Sequence, residues 1–97
     1  MTRENMYLEI VSPEATLFSG EVTSVTVPGV NGEFQMLENH APVVSLLQKG
    51  NVKVKGNITI DEAFAGKFSQ GKSGETVLPI SSGTIEMKDN KVIVLAD

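Results

Sequence analysis

Gly66-Lys67-Phe68-Ser69-Gln70-Gly71-Lys72-Ser73 fits the expression G-x-x-x-x-G-K-[ST], the pattern of a phosphate-binding loop. In such a loop backbone amides cradle phosphate oxygens, the lysine meets the terminal phosphates and the hydroxyl meets magnesium. The chemistry requires a buried strand before the loop and a helix N-terminus after it, whose dipole and free amides hold the anion. On the near side, Asp61-Glu62-Ala63-Phe64-Ala65 is no buried strand. On the far side, Gly74-Glu75-Thr76-Val77-Leu78-Pro79 carries a glycine, β-branched residues and a proline that would break a helix. Residues 61–76 are therefore read as an extended hairpin tip or loop, with nucleotide binding at Gly71, Lys72 and Ser73 kept as the rival. Val92-Ile93-Val94-Leu95-Ala96-Asp97 imitates the apolar strand that ends in a magnesium-binding aspartate, and is read instead as the last strand of a β domain.

His40 is the only histidine and so the only side chain suited to proton transfer near neutral pH. A triad would need it oriented by a carboxylate and facing a nucleophile. Glu38 is close in sequence, but no G-x-S-x-G elbow exists. One histidine among scattered carboxylates is also a poor transition-metal site, which wants several nitrogen or sulfur ligands. His40 is read as a structural or contact histidine. The carboxylates at Glu9, Glu21 and Glu86 alternate with apolar residues, as on a solvated sheet face, and the methionines need only a core-filling role. Catalytic, cofactor-binding and metal-binding residues are therefore all expected to be none.

Composition narrows the classes further. The chain has 97 residues, room for a single core and one domain that buries roughly two-thirds of its unfolded surface. Eight Lys plus Arg against twelve Asp plus Glu, with Arg3 the one arginine, oppose a phosphate-backbone partner, so no nucleic acid is expected. Zero cysteines remove a disulfide framework, a thiolate zinc site and a cysteine nucleophile together. The start, MTRENMYLEI, lacks the apolar stretch of a leader, and the longest apolar run, Val92 to Ala96, is far short of a membrane helix. A soluble, cytoplasmic chain without direct membrane insertion is expected.

The elements that must position these residues are strands. Leu8-Glu9-Ile10, Val25-Thr26-Val27, Val52-Lys53-Val54, Ile58-Thr59-Ile60, Ile85-Glu86-Met87 and Val92-Ile93-Val94-Leu95 are β-branched runs, mostly with period two. Turn formers separate them: Ser12-Pro13, Ser19-Gly20, Pro28-Gly29, Asn31-Gly32, Gly56-Asn57, Ser82-Gly83 and Asp89-Asn90. The best hairpin runs from Ile85 to Val94, with Asp89-Asn90 taking left-handed angles. Short strands at regular spacing imply an all-β, antiparallel sandwich or barrel. A helical turn over residues 61–65, with Thr59 and Glu62 in capping-box spacing, competes with a strand through Thr59. Residues 28–42, PGVNGEFQMLENHAP, read either as a long turn-rich loop or as a binding loop held by a rigid sandwich.

Together these residues carry a resemblance. LEIVSPE at 8–14, LFSGEV at 17–22, VPGVNGEF at 27–34, ENHAPVVSLL at 38–47 and the ending NKVIVLAD resemble the epsilon subunit of bacterial F-type ATP synthase over nearly all of the chain apart from 57–76. The resemblance implies a β-sandwich of about ten short strands and a non-catalytic rotor subunit of the proton-translocating complex. Family members sit at the foot of the central stalk, bound to gamma and resting on the membrane-embedded c-ring, peripheral to the cytoplasmic face of the bacterial inner membrane. Carried over by position, Glu33 would approach the polar loops of the ring. Ser12, His40, Ala41, Pro42 and Ser45 would lie in the surface shared with gamma and the ring, and the apolar residues Val43, Val44 and Leu46 would be covered by a partner.

Gln35 stands where the family usually has glycine, Ser82-Gly83 replaces a Gly-Gly, and residues 57–76 read as an extended hairpin or loop insertion longer than the family hairpin. Family members commonly continue past V-L-A-D into a helical hairpin that binds ATP in some species. The chain ends at Asp97, so neither an ATP-responsive switch nor a nucleotide is expected. An unrelated β-sandwich interaction module remains the alternative that the same alternation would serve.

Overall fold

A computed structural model describes residues 6–97. Arg3 and the first half of the MTRENMYLEI start lie outside the described residues. The strands are β1 (Met6–Val11), β2 (Thr16–Val22), β3 (Ser24–Gly29), β4 (Gly32–Leu37), β5 (Val43–Leu47), β6 (Gly50–Lys55), β7 (Ser69–Gln70), β8 (Thr76–Ile80), β9 (Gly83–Lys88) and β10 (Lys91–Ala96), with one 3-10 helix at Glu62–Lys67. They form a curled sheet in the order β2-β1-β10-β9-β5-β3-β6-β8-β7, with β4 added to β3. β5 meets β3 through the single pair Gly29 and Leu47. There the sheet turns over, so that β2-β1-β10-β9-β5 forms one layer of a β-sandwich and β4-β3-β6-β8-β7 the other.

Period two explains what fills the space between the layers. Met6, Leu8 and Ile10 of β1, Val25 and Val27 of β3, Val52 and Val54 of β6, Leu78 and Ile80 of β8, Ile85 and Met87 of β9, and Val92 and Val94 of β10 are all buried. Every second residue of each strand thus points inward, and each such side chain contributes about 1.5–3 kcal/mol when removed from water. The β9–β10 hairpin turns at Asp89 and Asn90, whose φ angles of 54° and 62° are the left-handed values expected for that pair.

The structure departs from the sequence expectations at four places. The sandwich is not wholly antiparallel: β1 and β10 run parallel, with Tyr7 opposite Lys91 and Ile10 opposite Val94. Parallel neighbours need a long crossover, and here nearly the whole chain intervenes. Residues 28–42 are not a long loop, because Gly32–Leu37 pairs with β3 as a tight hairpin turning at Val30 and Asn31. Strand β4 reads GEFQML: Glu33 and Gln35 point outward and Phe34 and Met36 inward, but the alternating run is only four residues long and ends on Leu37, an exposed apolar residue that breaks the period.

Ile58-Thr59-Ile60 belongs to no strand. Its alternation is real nonetheless, since Ile58 and Ile60 pack on the core while Thr59 is exposed. Finally, residues 57–76 are not a free tip. Asp61 caps the 3-10 helix by accepting the Ala63 amide at 2.9 Å, in place of the Thr59 and Glu62 box. Ile58, Ile60, Phe64 and Phe68 pack against the core, and Gly66 and Lys67 reach a groove shared with Leu17 of β2 and Leu78 of β8. The segment is a strap along the seam between the edges of the two layers.

Candidate functional site

The register fixes what the layer β2-β1-β10-β9-β5 shows to the outside. Leu46, Thr84, Leu95 and Val11 stand opposite one another across β5, β9, β10 and β1. The next row is Val44, Glu86, Ile93 and Glu9, and the far row is Lys88, Lys91, Tyr7 and Glu21. The outer face therefore grades from apolar at one pole to charged at the other. Lys91 and Glu9 bridge the charged and middle rows, with Nζ 4.0 Å from Oε1.

Val44, Leu46, Leu95 and Val30 are 75%, 62%, 50% and 46% exposed. Single exposed apolar side chains are ordinary, but these gather. Leu46, Leu95 and Val30 line one groove of about 670 Å³ with Ser12, Pro13 and Thr84. The Val30 amide donates to the Leu46 carbonyl at 3.2 Å, which ties the β3–β4 turn to β5. The expected patch of Val43, Val44 and Leu46 is thus corrected: Val43 packs against the core, and Val30 and Leu95 take its place on the surface. Leu95 had a legible signal, an apolar residue at an outward position of a period-two strand.

The sequence-predicted contact residues divide between two poles. Glu33 follows the β3–β4 turn, and its Oε2 pairs with Lys53 Nζ at 3.2 Å. Ser12, at the end of β1, lies at the same pole and hydrogen-bonds through Oγ to the Ala15 carbonyl at 3.2 Å. His40, Ala41 and Pro42 lie beyond the far end of β4, roughly 14 Å along the strand from Glu33 at 3.4 Å per residue. Ser45 lies midway along β5, its Oγ donating to the Leu46 carbonyl at 3.1 Å. The structure does not bring Glu33 and His40 together; it joins their poles through β4 and β5.

His40 is exposed, and its Nδ1 lies 2.7 Å from the Ala41 carbonyl oxygen, which orients the ring with Nδ1–H as donor. A backbone oxygen thus holds the imidazole where a triad would place a carboxylate. The residue before it, Asn39, has φ 64° and forms a reciprocal pair with Asn90. The Asn39 amide donates to Asn90 Oδ1, and Asn90 Nδ2 donates to Asn39 Oδ1 at 3.1 Å. From sequence Asn90 reads only as a turn residue, because nothing in a linear pattern couples positions so far apart. Among the described residues no three His, Asp or Glu side chains converge where a cation could sit, and no helix is long and apolar enough to cross a membrane.

The phosphate-loop pattern has another geometry. Gly66 and Lys67 end the 3-10 helix, Ser69 and Gln70 form β7, and residues 71–75 turn tightly into β8 with no helix following. The Gly71 amide donates to the Glu75 carbonyl at 2.7 Å, and the Ser73 amide donates to Glu75 Oε1 at 2.9 Å. A Cβ at Gly71 would lie 2.4 Å from the Glu75 carboxyl carbon, so the carboxylate rests directly on the glycine. The loop's own acid takes an amide that a phosphate would need. Backbone donation, from Glu75's own amide first and then from Ser73, together with Lys55 and Lys53, holds the Glu75 pKa below the usual carboxylate value against a weaker opposing effect of desolvation.

These features define a β-sandwich whose distinctive site is an outer apolar face flanked by two loop poles. Residues 5–97 match the family described as "ATP synthase, Delta/Epsilon chain, beta-sandwich domain", and the chain belongs to that family. It is 36% identical over 90 residues to the ATP synthase epsilon chain of Chlorobaculum tepidum, covering 93% of this chain and 86% of that one. It is 32% identical to the epsilon chain of Campylobacter curvus over 97% of this chain and 62% of that one, so it spans under two thirds of the longer relative. The central stalk and c-ring structure of the Tetrahymena thermophila mitochondrial ATP synthase contains the same fold, with a TM-score of 0.71 at 11% identity over 99% of this chain and 66% of that one.

Proposed function

We propose that the protein is a non-catalytic rotor subunit of an F-type ATP synthase, binding gamma through its outer sheet face and the c-ring through its Glu33 pole. The single observation that carries this reading is the cluster of exposed apolar side chains Val44, Leu46 and Leu95 on a sheet whose chain belongs to the epsilon family. Burying that cluster against gamma supplies non-directional affinity, about 25 cal/mol per Å² of apolar area before the costs of association. The charged row around Lys88 and Lys91 supplies orientation. At the other pole Glu33 presents a carboxylate to the polar loops of the ring, while Ser12 borders the apolar groove. His40, Ala41 and Pro42 extend the gamma contact, while Ser45, opposite Ile85 on the inward-facing side of β5, borders the groove beside Glu33 and Phe34 and would meet a partner there. Two such contacts on one sandwich would transmit torque without any chemistry, and a subunit held by them would lie at the cytoplasmic face of the bacterial membrane as a peripheral part of the complex.

Co-purification with gamma from the same source tests this. The wild-type chain is expected to form a stable complex, and Leu46→Glu to weaken it at least tenfold while the sandwich stays folded. Absence of association between the wild-type chain and gamma would sink the reading. Micromolar Mg-ATP binding lost in Lys72→Ala would favour the phosphate-loop rival.

A further inference from the structure

We infer that Asn39 and Asn90 form a positioning clasp that sets the His40–Pro42 loop for its partner before the partner arrives. The inference rests on the proposed docking role of that loop, but its first observation is independent of it. Two asparagines 51 positions apart exchange hydrogen bonds in both directions, backbone amide to side-chain oxygen and side-chain amide to side-chain oxygen. Both also occupy left-handed backbone, at φ 64° and 62°, a region that asparagine tolerates and most residues avoid.

The clasp joins three pieces of backbone. Asn90 is the second turn residue between β9 and β10, and its carbonyl accepts the Tyr7 amide at 2.8 Å, so it is anchored to β1 as well. The His40 amide donates to the Leu37 carbonyl at 3.1 Å, closing a turn whose only lateral support among the described hydrogen bonds is the Asn39–Asn90 pair. Turn and clasp together fix where Ala41 and Pro42 leave the sandwich. They also fix the loop's position relative to Lys88 and Lys91, which flank the Asp89-Asn90 turn.

The advantage is one of order. A loop of this kind would otherwise lose backbone freedom on binding, about 1–2 kcal/mol per residue fixed. A loop already held loses less, and the gain shows as affinity without a new contact. Asn90 is thus a positioning residue: it acts through Asn39 on a loop it need not share with the partner.

Glycine substitutions separate this role from turn formation, because glycine keeps left-handed backbone while deleting the amides. In Asn90→Gly, Asn39→Gly and the double variant, melting temperature is expected to shift by less than about 3 °C. Hydrogen exchange at the residue 39 and 40 amides is expected to speed up at least about tenfold in isolated Asn90→Gly and in the double variant, and less in Asn39→Gly, which keeps the residue 39 backbone amide and its Asn90 Oδ1 acceptor. Affinity for purified gamma should fall about three- to tenfold, the double variant should be no worse than Asn90→Gly, and Asn90→Asp, which keeps the acceptor, should recover part of the loss. Unchanged exchange in Asn90→Gly, or single-variant affinity losses that multiply in the double variant, would overturn the clasp. Leu46→Glu serves as the control: it should lose gamma and leave exchange at residue 39 untouched. If even the wild-type chain ignores gamma, the proposed function falls, and the clasp is then decided by the exchange rates alone.

Discussion

Gly83 lies against the backbone of Leu95: a Cβ built on Gly83 would stand 2.3 Å from the Leu95 carbonyl oxygen. The two residues belong to adjacent strands, with Gly83 opposite Ala96 in the β9–β10 ladder and opposite Leu47 in the β5–β9 ladder. The obstacle is backbone on a paired strand, which cannot rotate away as a side chain would. Gly83→Ala is therefore expected to destabilise the sandwich by about 1–3 kcal/mol. Urea unfolding monitored by circular dichroism measures it, and an unchanged midpoint would refute the close approach.

The strap offers a second test. Phe64 and Phe68 are half-buried and pack on the core. Phe64→Ala and Phe68→Ala should each cost about 1–2 kcal/mol, half of what a fully buried aromatic contributes. Proteolysis within residues 57–76 should accelerate in both, because local opening of the strap becomes easier. A strap that is cleaved no faster, with no loss of stability, would show that these aromatics do not hold it down.

Glu33 and Lys53 predict a small effect. Their side chains are 53% and 36% exposed, so water and salt screen the pair. A double-mutant cycle with Glu33→Gln and Lys53→Met is expected to give a coupling below about 0.5 kcal/mol, vanishing near molar salt. Under the proposed function Glu33→Arg should instead weaken attachment to the c-ring several-fold with stability unchanged. Sedimentation with ring-containing membranes separates these contributions.

Glu75 sets a pH dependence with a defined sign. Backbone donors hold its folded-state pKa below that of the unfolded chain. The ionised carboxylate therefore adds stability above the unfolded pKa, and this is lost as pH falls through the folded value. The Ser73 amide, which donates to Glu75 Oε1, should report the titration in NMR spectra, with a midpoint on the acid side of a model glutamate. Glu75→Gln should abolish that titration, and a midpoint at or above that of an ordinary glutamate would contradict the geometry.

Legibility followed the length scale of each interaction. Strands β1, β3, β6, β9 and β10 carry their own alternation, and the Asp89-Asn90 turn carries its own backbone preference, so local physics sufficed. Strand β4 is hard to see because its Glu33-Phe34-Gln35-Met36 alternation is short and runs into the exposed apolar Leu37, and its ladder to β3 is what makes it a strand. The reverse error at Ile58-Thr59-Ile60 has the same root, since alternate side chains can pack on a core without a paired backbone. Composition suggested that the G-x-x-x-x-G-K-S match was a loop, but the occupant of the Ser73 amide could only be seen in three dimensions. Ser12 and Glu33 at one pole and His40 at the other are a matter of strand register, which a linear motif does not record.

The parallel pairing of β1 with β10 bears on how the chain acquires its shape during synthesis. Leu8 and Ile10 find their permanent neighbours only when Val92 and Val94 exist, so the ladder closes a loop spanning most of the polypeptide and carries the largest closure entropy in the fold. Hairpins such as β3–β4 can form on the ribosome, while β1, paired with β2 alone, waits with one edge open. Folding is expected to finish only after residue 96 has left the exit tunnel, at the slow rates of topologies dominated by distant contacts.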